Sequence, residues 1–130
     1  MTQQHPVFKS GNTSVITGGA SGIGLAAAKT FASLGLNVVL ADLGGDRLHA
    51  AEKDVAALSP RGADAVAAIP TDVSVLEDLK VLADDVQARF GNVHVVINNA
   101  GIQPGSSIFG PLENWEKVFS VNLWGVIHGS

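Results

Sequence analysis

Three short runs of branched aliphatic residues, none alternating with polar ones, constrain this chain more than any other feature. Thr13 to Thr17, Asn37 to Asp42 and His94 to Asn98 are dominated by Val, Ile and Leu, and strands without polar alternation must be covered on both faces. Coverage of both faces points to a parallel sheet, and parallel neighbours need crossovers long enough to hold a helix. The intervening segments supply them. Ile23, Ala27, Phe31 and Leu34 recur at helical spacing, as do Leu48, Ala51, Val55 and Leu58, then Leu76, Leu79, Leu82, Val86 and Phe90. Gly35, Gly62 and Gly91 follow these stretches and offer the left-handed position that ends a helix cheaply. Ser74, with Glu77 three residues later, reads as a capping box starting the third helix. Ala65 to Thr71 is the remaining strand, with Pro70 acceptable near its end.

The order β-α-β-α-β-α-β, followed by a last helix from about Leu112 to Gly129, predicts an α/β fold. It is a doubly wound parallel sheet of Rossmann type with strand order 3-2-1-4. The expected domain runs over 13–130, behind a polar N-terminal tail at 1–12. A length of 130 residues suits one core rather than two.

Composition removes several function classes. There is no cysteine, so disulfides, thiolate nucleophiles and cysteine-ligated metals are excluded. His5, His49, His94 and His128 share no metal-ligand spacing, and no metal site is expected. A formal net charge of −4, with Lys29, Arg47, Lys53, Lys80 and Arg89 scattered among acids, gives no stripe for a nucleic-acid backbone. Asp84 and Asp85 read as a solvated helix face. No apolar run approaches the roughly 20 residues that cross a bilayer, and Met1 to Gly11 does not resemble a signal peptide. A cytoplasmic protein with no membrane contact is expected.

Thr17-Gly18-Gly19-Ala20-Ser21-Gly22-Ile23-Gly24 falls where the first strand meets the first helix, the context in which a glycine-rich stretch means something. Glycines let the chain turn tightly and let a ligand approach the backbone, while the helix start offers unpaired N–H groups and the positive end of its dipole to a pyrophosphate. The lysine a nucleoside-triphosphatase loop requires is missing. Asp42 closes the second strand, 18 residues beyond Gly24, near the spacing at which a carboxylate reaches adenosine ribose hydroxyls. It would repel a 2′-phosphate by on the order of a few kcal/mol at about 4 Å, and each 1.4 kcal/mol or so is tenfold in affinity. NAD is therefore preferred over NADP. Arg47 is the only nearby cation.

These residues resemble the short-chain dehydrogenase/reductase family. Thr17-Gly18-x-x-x-Gly22-Ile23-Gly24 is similar to its cofactor signature, and Asn98-Asn99-Ala100-Gly101 to its second motif, after the fourth strand. The resemblance implies cofactor contacts at Gly18, Ser21, Gly22, Ile23 and Gly24, at Asp42 and Leu43, at the adenine-side pair Asp72 and Val73, and at Asn99, Ala100 and Gly101. Asn98 is expected to be structural, with the asparagine side chains stitching neighbouring strands. Asn122 is similar to the family's helix asparagine, which holds a water in the proton relay, and is the one catalytic residue implied. Ile102-Gln103-Pro104 would begin a substrate-pocket wall.

The resemblance also implies hydride transfer between NAD and an alcohol or carbonyl, through a Tyr, a Lys four residues later and a Ser. The sequence has no tyrosine, and Ser120, Ser130 and Lys117 occupy the wrong elements to stand in. The chain is thus expected to be an N-terminal NAD-binding half, inactive alone. Its fold would be truncated beyond the fourth strand, leaving an exposed edge at His94 to Asn98. The apolar helix around 112–129 is expected to make the parent a homo-oligomer and the isolated chain prone to aggregate. Two alternatives stand beside this reading: a non-catalytic NAD-binding regulatory module, and a methyltransferase with an adenosyl cofactor, against which the Asn98 to Gly101 segment weighs.

Overall fold

The computed structural model describes residues 5–102 and 110–130. Four strands, β1 (Thr13–Thr17), β2 (Asn37–Asp42), β3 (Val66–Pro70) and β4 (Val95–Asn98), form one sheet in the order β3-β2-β1-β4. Every pairing is parallel; Val15 lies between Val39 on one side and Val96 on the other. Three helices connect them, α1 (Gly22–Ser33), α2 (Asp46–Leu58) and α3 (Leu76–Phe90). The expected doubly wound sheet and its order are present.

Side chains of a strand alternate between faces, and here both faces are covered. Ile16, Val38 and Leu40 pack with Ala28, Ala32, Leu48 and Val55 of α1 and α2. Their neighbours Val15, Val39 and Ala41 face the other way, onto Leu79, Leu82 and Val86 of α3. The unbroken aliphatic runs thus reflect two cores, one on each side of β1 and β2.

Several local expectations change. The third helix does not start with a capping box: Val75 is its N-cap, no side chain caps it, and Glu77 pairs instead with Lys80 at 3.3 Å. Ser74 gives both its N–H (3.0 Å) and its hydroxyl (2.5 Å) to Asp72 Oδ1, while Asp78 Oδ2 accepts the N–H of Asp72 at 2.9 Å. Two aspartates thereby outcompete the hydroxyl for the turn. Gly35 and Gly91 do end α1 and α3 with positive φ, but Gly62 lies beyond the extended Ser59 that caps α2.

The stretch read as a tail is docked from His5 onward. Phe8 stacks on Phe31 with ring centroids 5.4 Å apart, Asn12 Nδ2 donates to Val7 O, and Gly11 N donates to Gly35 O. One apolar ring and a few backbone groups suffice to anchor an otherwise polar segment.

The last helical run is not uniform. α4 (Leu112–Val118) widens into a π-helical segment, Phe119–Trp124, before α5 (Gly125–Gly129). Gly125 is its only buried residue, set against Val73, whereas Phe119, Leu123, Trp124 and Ile127 are exposed. Among the described residues β4 pairs with β1 alone, and Val96 is 49% exposed. Among the described residues no group of side chains could hold a metal, and no helix is long and apolar enough to cross a membrane.

Candidate cofactor site

The carboxyl ends of the four strands open into one cleft of about 770 Å³. The turn after β1 contributes Gly18, Ser21, Gly22 and Ile23; the end of β2 and start of α2 contribute Asp42, Leu43 and Arg47. Asp72 and Val73 follow β3, and Asn99, Ala100, Gly101 and Ile102 follow β4. Of the residues expected to hold a cofactor, all but Gly24 line this space. Gln103 and Pro104 lie outside the described residues.

Gly22 and Gly24 serve different ends. Gly22 has φ +57 and faces open space, so it supplies a backbone shape L residues rarely adopt. Gly24 is buried: a Cβ there would collide with Gly18 O and come within 2.6 Å of Asn99 Nδ2. Its job is to seat α1 against the loop and the second motif, so its absence from the cleft wall is a matter of layer, not of irrelevance.

Ser21 is the N-cap of α1, extended, with no capping bond from its side chain. The first helical N–H to find a carbonyl is that of Leu25, which donates to Ser21 O at 3.2 Å. The preceding N–H groups belong to the turn that a helix leaves without internal partners, and no acid occupies it. An anion placed there meets donors and the positive end of the helix dipole together.

Asp42 ties the first loop to the second strand. Its Oδ2 accepts from Ala20 N at 2.9 Å and its Oδ1 from Leu43 N at 2.8 Å. A carboxylate offers about four lone-pair positions, so capacity remains for ribose hydroxyls while the two amides hold the group in place.

Thr17, buried at the end of β1, is a positioning residue that reading the motif alone did not reveal. Its Oγ1 accepts from both Asn99 N (3.0 Å) and Ala100 N (3.1 Å), and Asn99 Nδ2 returns a bond to Gly18 O at 3.3 Å. The two sequence motifs, some 80 residues apart, thus form a single unit through one hydroxyl. A threonine at a strand end fits β-propensity alone, which conceals this role. Asn98 lies off the cleft, and its Oδ1 is buried without a hydrogen-bond partner, pressed against Gly129. The stitching falls to Asn99.

Asn122 lies in the π segment, outside the cleft lining and exposed. Its Oδ1 accepts from Ile102 N at 2.8 Å and its Nδ2 donates to Ile102 O at 2.9 Å. The amide clamps the chain just after the second motif; among the described residues a second Nδ2 hydrogen and a second Oδ1 lone pair stay available. Lys117, Ser120 and Val121 do line the cleft, although sequence reasoning set the first two aside. Their i, i+3, i+4 spacing marks one helical face, the signal that could have found them.

Over residues 12–130 the sequence matches the family described as short chain dehydrogenase. The chain belongs to the short-chain dehydrogenase/reductase family. Its relatives in that family include a 1-deoxy-11-beta-hydroxypentalenate dehydrogenase of Streptomyces exfoliatus, 44% identical over 115 residues, covering 85% of this chain and 40% of the relative. A D-beta-hydroxybutyrate dehydrogenase of Rhizobium meliloti is 37% identical over 118 residues, covering 89% and 45%. Among solved structures, a family member from Burkholderia phymatum in complex with NAD superposes with a TM-score of 0.85 at 38% identity, over 94% of this chain and 42% of that one. The chain thus spans less than half the length of these relatives.

Proposed function

We propose that this chain holds NAD in the cleft and belongs to an oxidoreductase exchanging a hydride between NAD and an alcohol or carbonyl of a small molecule. Asp42 carries this reading: a carboxylate already held by two backbone amides at the adenosine end needs no reorganisation to receive two ribose hydroxyls. The free donors at the start of α1 suit the pyrophosphate. Val73 and Leu43 offer apolar contact to the adenine, with Asp72 beside them, and Asn99, Ala100 and Gly101 border the nicotinamide-side ribose. A 2′-phosphate would meet the charge of Asp42, which supports preference for NAD over NADP.

NAD supplies the hydride acceptor; the chain's own residues bind and orient it. Oxidation would send a hydride from the carbinol carbon to the nicotinamide and a proton from the hydroxyl to a base. The 130 residues hold no tyrosine to serve as that base, so these residues alone are proposed to bind without turning over. Asn122, through the backbone it clamps and its spare amide positions, is proposed to hold a water of the proton path. The proposed setting is the cytoplasm, and the proposed assembly is a homo-oligomer formed through the apolar face at 112–129, where Phe119, Leu123, Trp124 and Ile127 are exposed.

Calorimetric titration with NAD, NADP and S-adenosylmethionine tests the reading. NAD is expected to bind at least about tenfold more tightly than NADP, a difference of roughly 1.4 kcal/mol, and S-adenosylmethionine not at all. Equal or inverted preference for NADP would refute the assignment to Asp42, and binding of S-adenosylmethionine alone would replace the oxidoreductase reading with a methyltransferase.

A further inference from the structure

Side chains tie β1 to β4 at both ends of the pair. At the cleft end the tie is Thr17, through its bonds to Asn99 and Ala100. At the opposite end it is His94, the residue just ahead of β4. Its backbone N–H donates to Thr13 O at 2.9 Å, and its Nδ1 accepts the N–H of Thr13 at 2.9 Å. One residue thus serves both main-chain groups of Thr13. On the other side of β1, Asn12 O accepts from Asn37 N of β2 at 2.8 Å. The trans peptide that joins Asn12 to Thr13 therefore points the Thr13 N–H away from β2, toward the imidazole. Thr13 is fully buried, whereas the His94 ring is exposed. A buried donor depends on an acceptor that solvent protons can reach.

A nitrogen that accepts a hydrogen bond carries no proton, so the neutral ring keeps its hydrogen on Nε2; a second proton would fall on Nδ1 and set one donor against another. Histidine is the side chain whose charge changes between about pH 5 and 8. We propose that His94 is a pH-operated staple: neutral, it closes the end of the β1–β4 pair remote from the cleft, and protonated it releases Thr13 and lets the strands part there. β4 packs against β1 and α5. β1 carries no charged side chain, and α5 carries only His128, whose ring stacks on Trp124. Arg61 reaches this corner of the sheet by donating to Asn37 Oδ1 at 2.6 Å, Lys9 precedes β1, and Arg89, ahead of β4, is held by Asp85 at 3.0 Å. Among the described residues no carboxylate pairs with His94, so the proton that breaks the bond gains no partner. β4 carries Asn99, Ala100 and Gly101 to the cleft, and the staple sets how firmly that strand is anchored behind them.

Amide hydrogen exchange of the 130-residue chain, resolved by residue and expressed as protection relative to the unfolded chain, tests this at about pH 7.5 and 5.5. The Thr13 amide is expected to lose protection by at least about tenfold at the lower pH, the opening that orphaning one buried donor gives, while Val39 in the middle of the sheet keeps its own. His94→Asn places a carbonyl oxygen at the reach of Nδ1 and does not titrate, so its Thr13 protection should be the same at both pH values. His94→Leu, with no acceptor, should show the low protection at both. An acid loss that persists in His94→Asn, no loss in the unsubstituted chain, full protection in His94→Leu, or an equal loss at Val39 would overturn the proposal. Should circular dichroism show His94→Asn unfolded, His94→Asp, whose carboxylate stays an acceptor down to about pH 5, replaces it under the same criteria.

Discussion

Thr17→Val isolates the joint between the two motifs. Valine keeps the shape and buried volume of threonine but offers no acceptor, so the N–H of Ala100, now bound at 3.1 Å, loses its partner, while that of Asn99 keeps its second acceptor, Ile97 O at 3.0 Å. An orphaned buried donor costs about 1–3 kcal/mol. Ala100 is only half-buried, so water reaches it in part and the lower end applies, about 1 kcal/mol. For a domain of this size each kcal/mol lowers the melting temperature by roughly 4 °C, giving an expected drop of about 4 °C. Thermal unfolding by circular dichroism reads this directly. NAD titration adds what stability cannot show: Thr17→Ser gives up a methyl, at about 0.5–1.5 kcal/mol of stability, yet keeps the acceptor, so it should bind NAD as the unsubstituted chain does while Thr17→Val binds more weakly. Equal NAD affinity in Thr17→Val and Thr17→Ser would refute the claim that one hydroxyl couples the second motif to the first.

Gly24→Ala should cost about 1–3 kcal/mol by overpacking, because the added Cβ meets the backbone of Gly18 and the Asn99 amide. Chemical denaturation measures it, and a variant as stable as the unsubstituted chain would show that α1 can shift freely. Asn122→Leu removes both bonds to Ile102; with the site exposed, a loss of about 1 kcal/mol is expected, with amide hydrogen exchange at Ile102 rising well above that at Val15 in the core. Phe119, Leu123, Trp124 and Ile127 present exposed apolar surface next to the open edge of β4. Light scattering of the 130-residue chain is therefore expected to show association that Phe119→Ser/Trp124→Ser reduces; a monodisperse monomer at all concentrations would contradict it.

What the sequence made legible was whatever had a period or a fixed spacing. The runs around Val15, Val39 and Ile97 lack alternation because α1 and α2 cover one face of the sheet and α3 the other, and that alone dictated a parallel order with Asp42 and the glycine loop at the same end. Reading failed where side chains compete for the same backbone group. Ser74 and Glu77 satisfy the spacing of a capping box, yet Asp72 and Asp78 take the turn, and no pattern in one sequence says which acceptor wins. It failed likewise where the helical period changes. Asn122 was expected in an even helix, but the π turn from Phe119 to Trp124 advances the chain by more than 3.6 residues per turn. Lys117, Ser120 and Val121 face the cleft while Asn122 bonds Ile102. Adjacent residues of a helix point about 100° apart around its axis, so the wall of the cleft and the clamp on Ile102 are met by two neighbours, Val121 and Asn122.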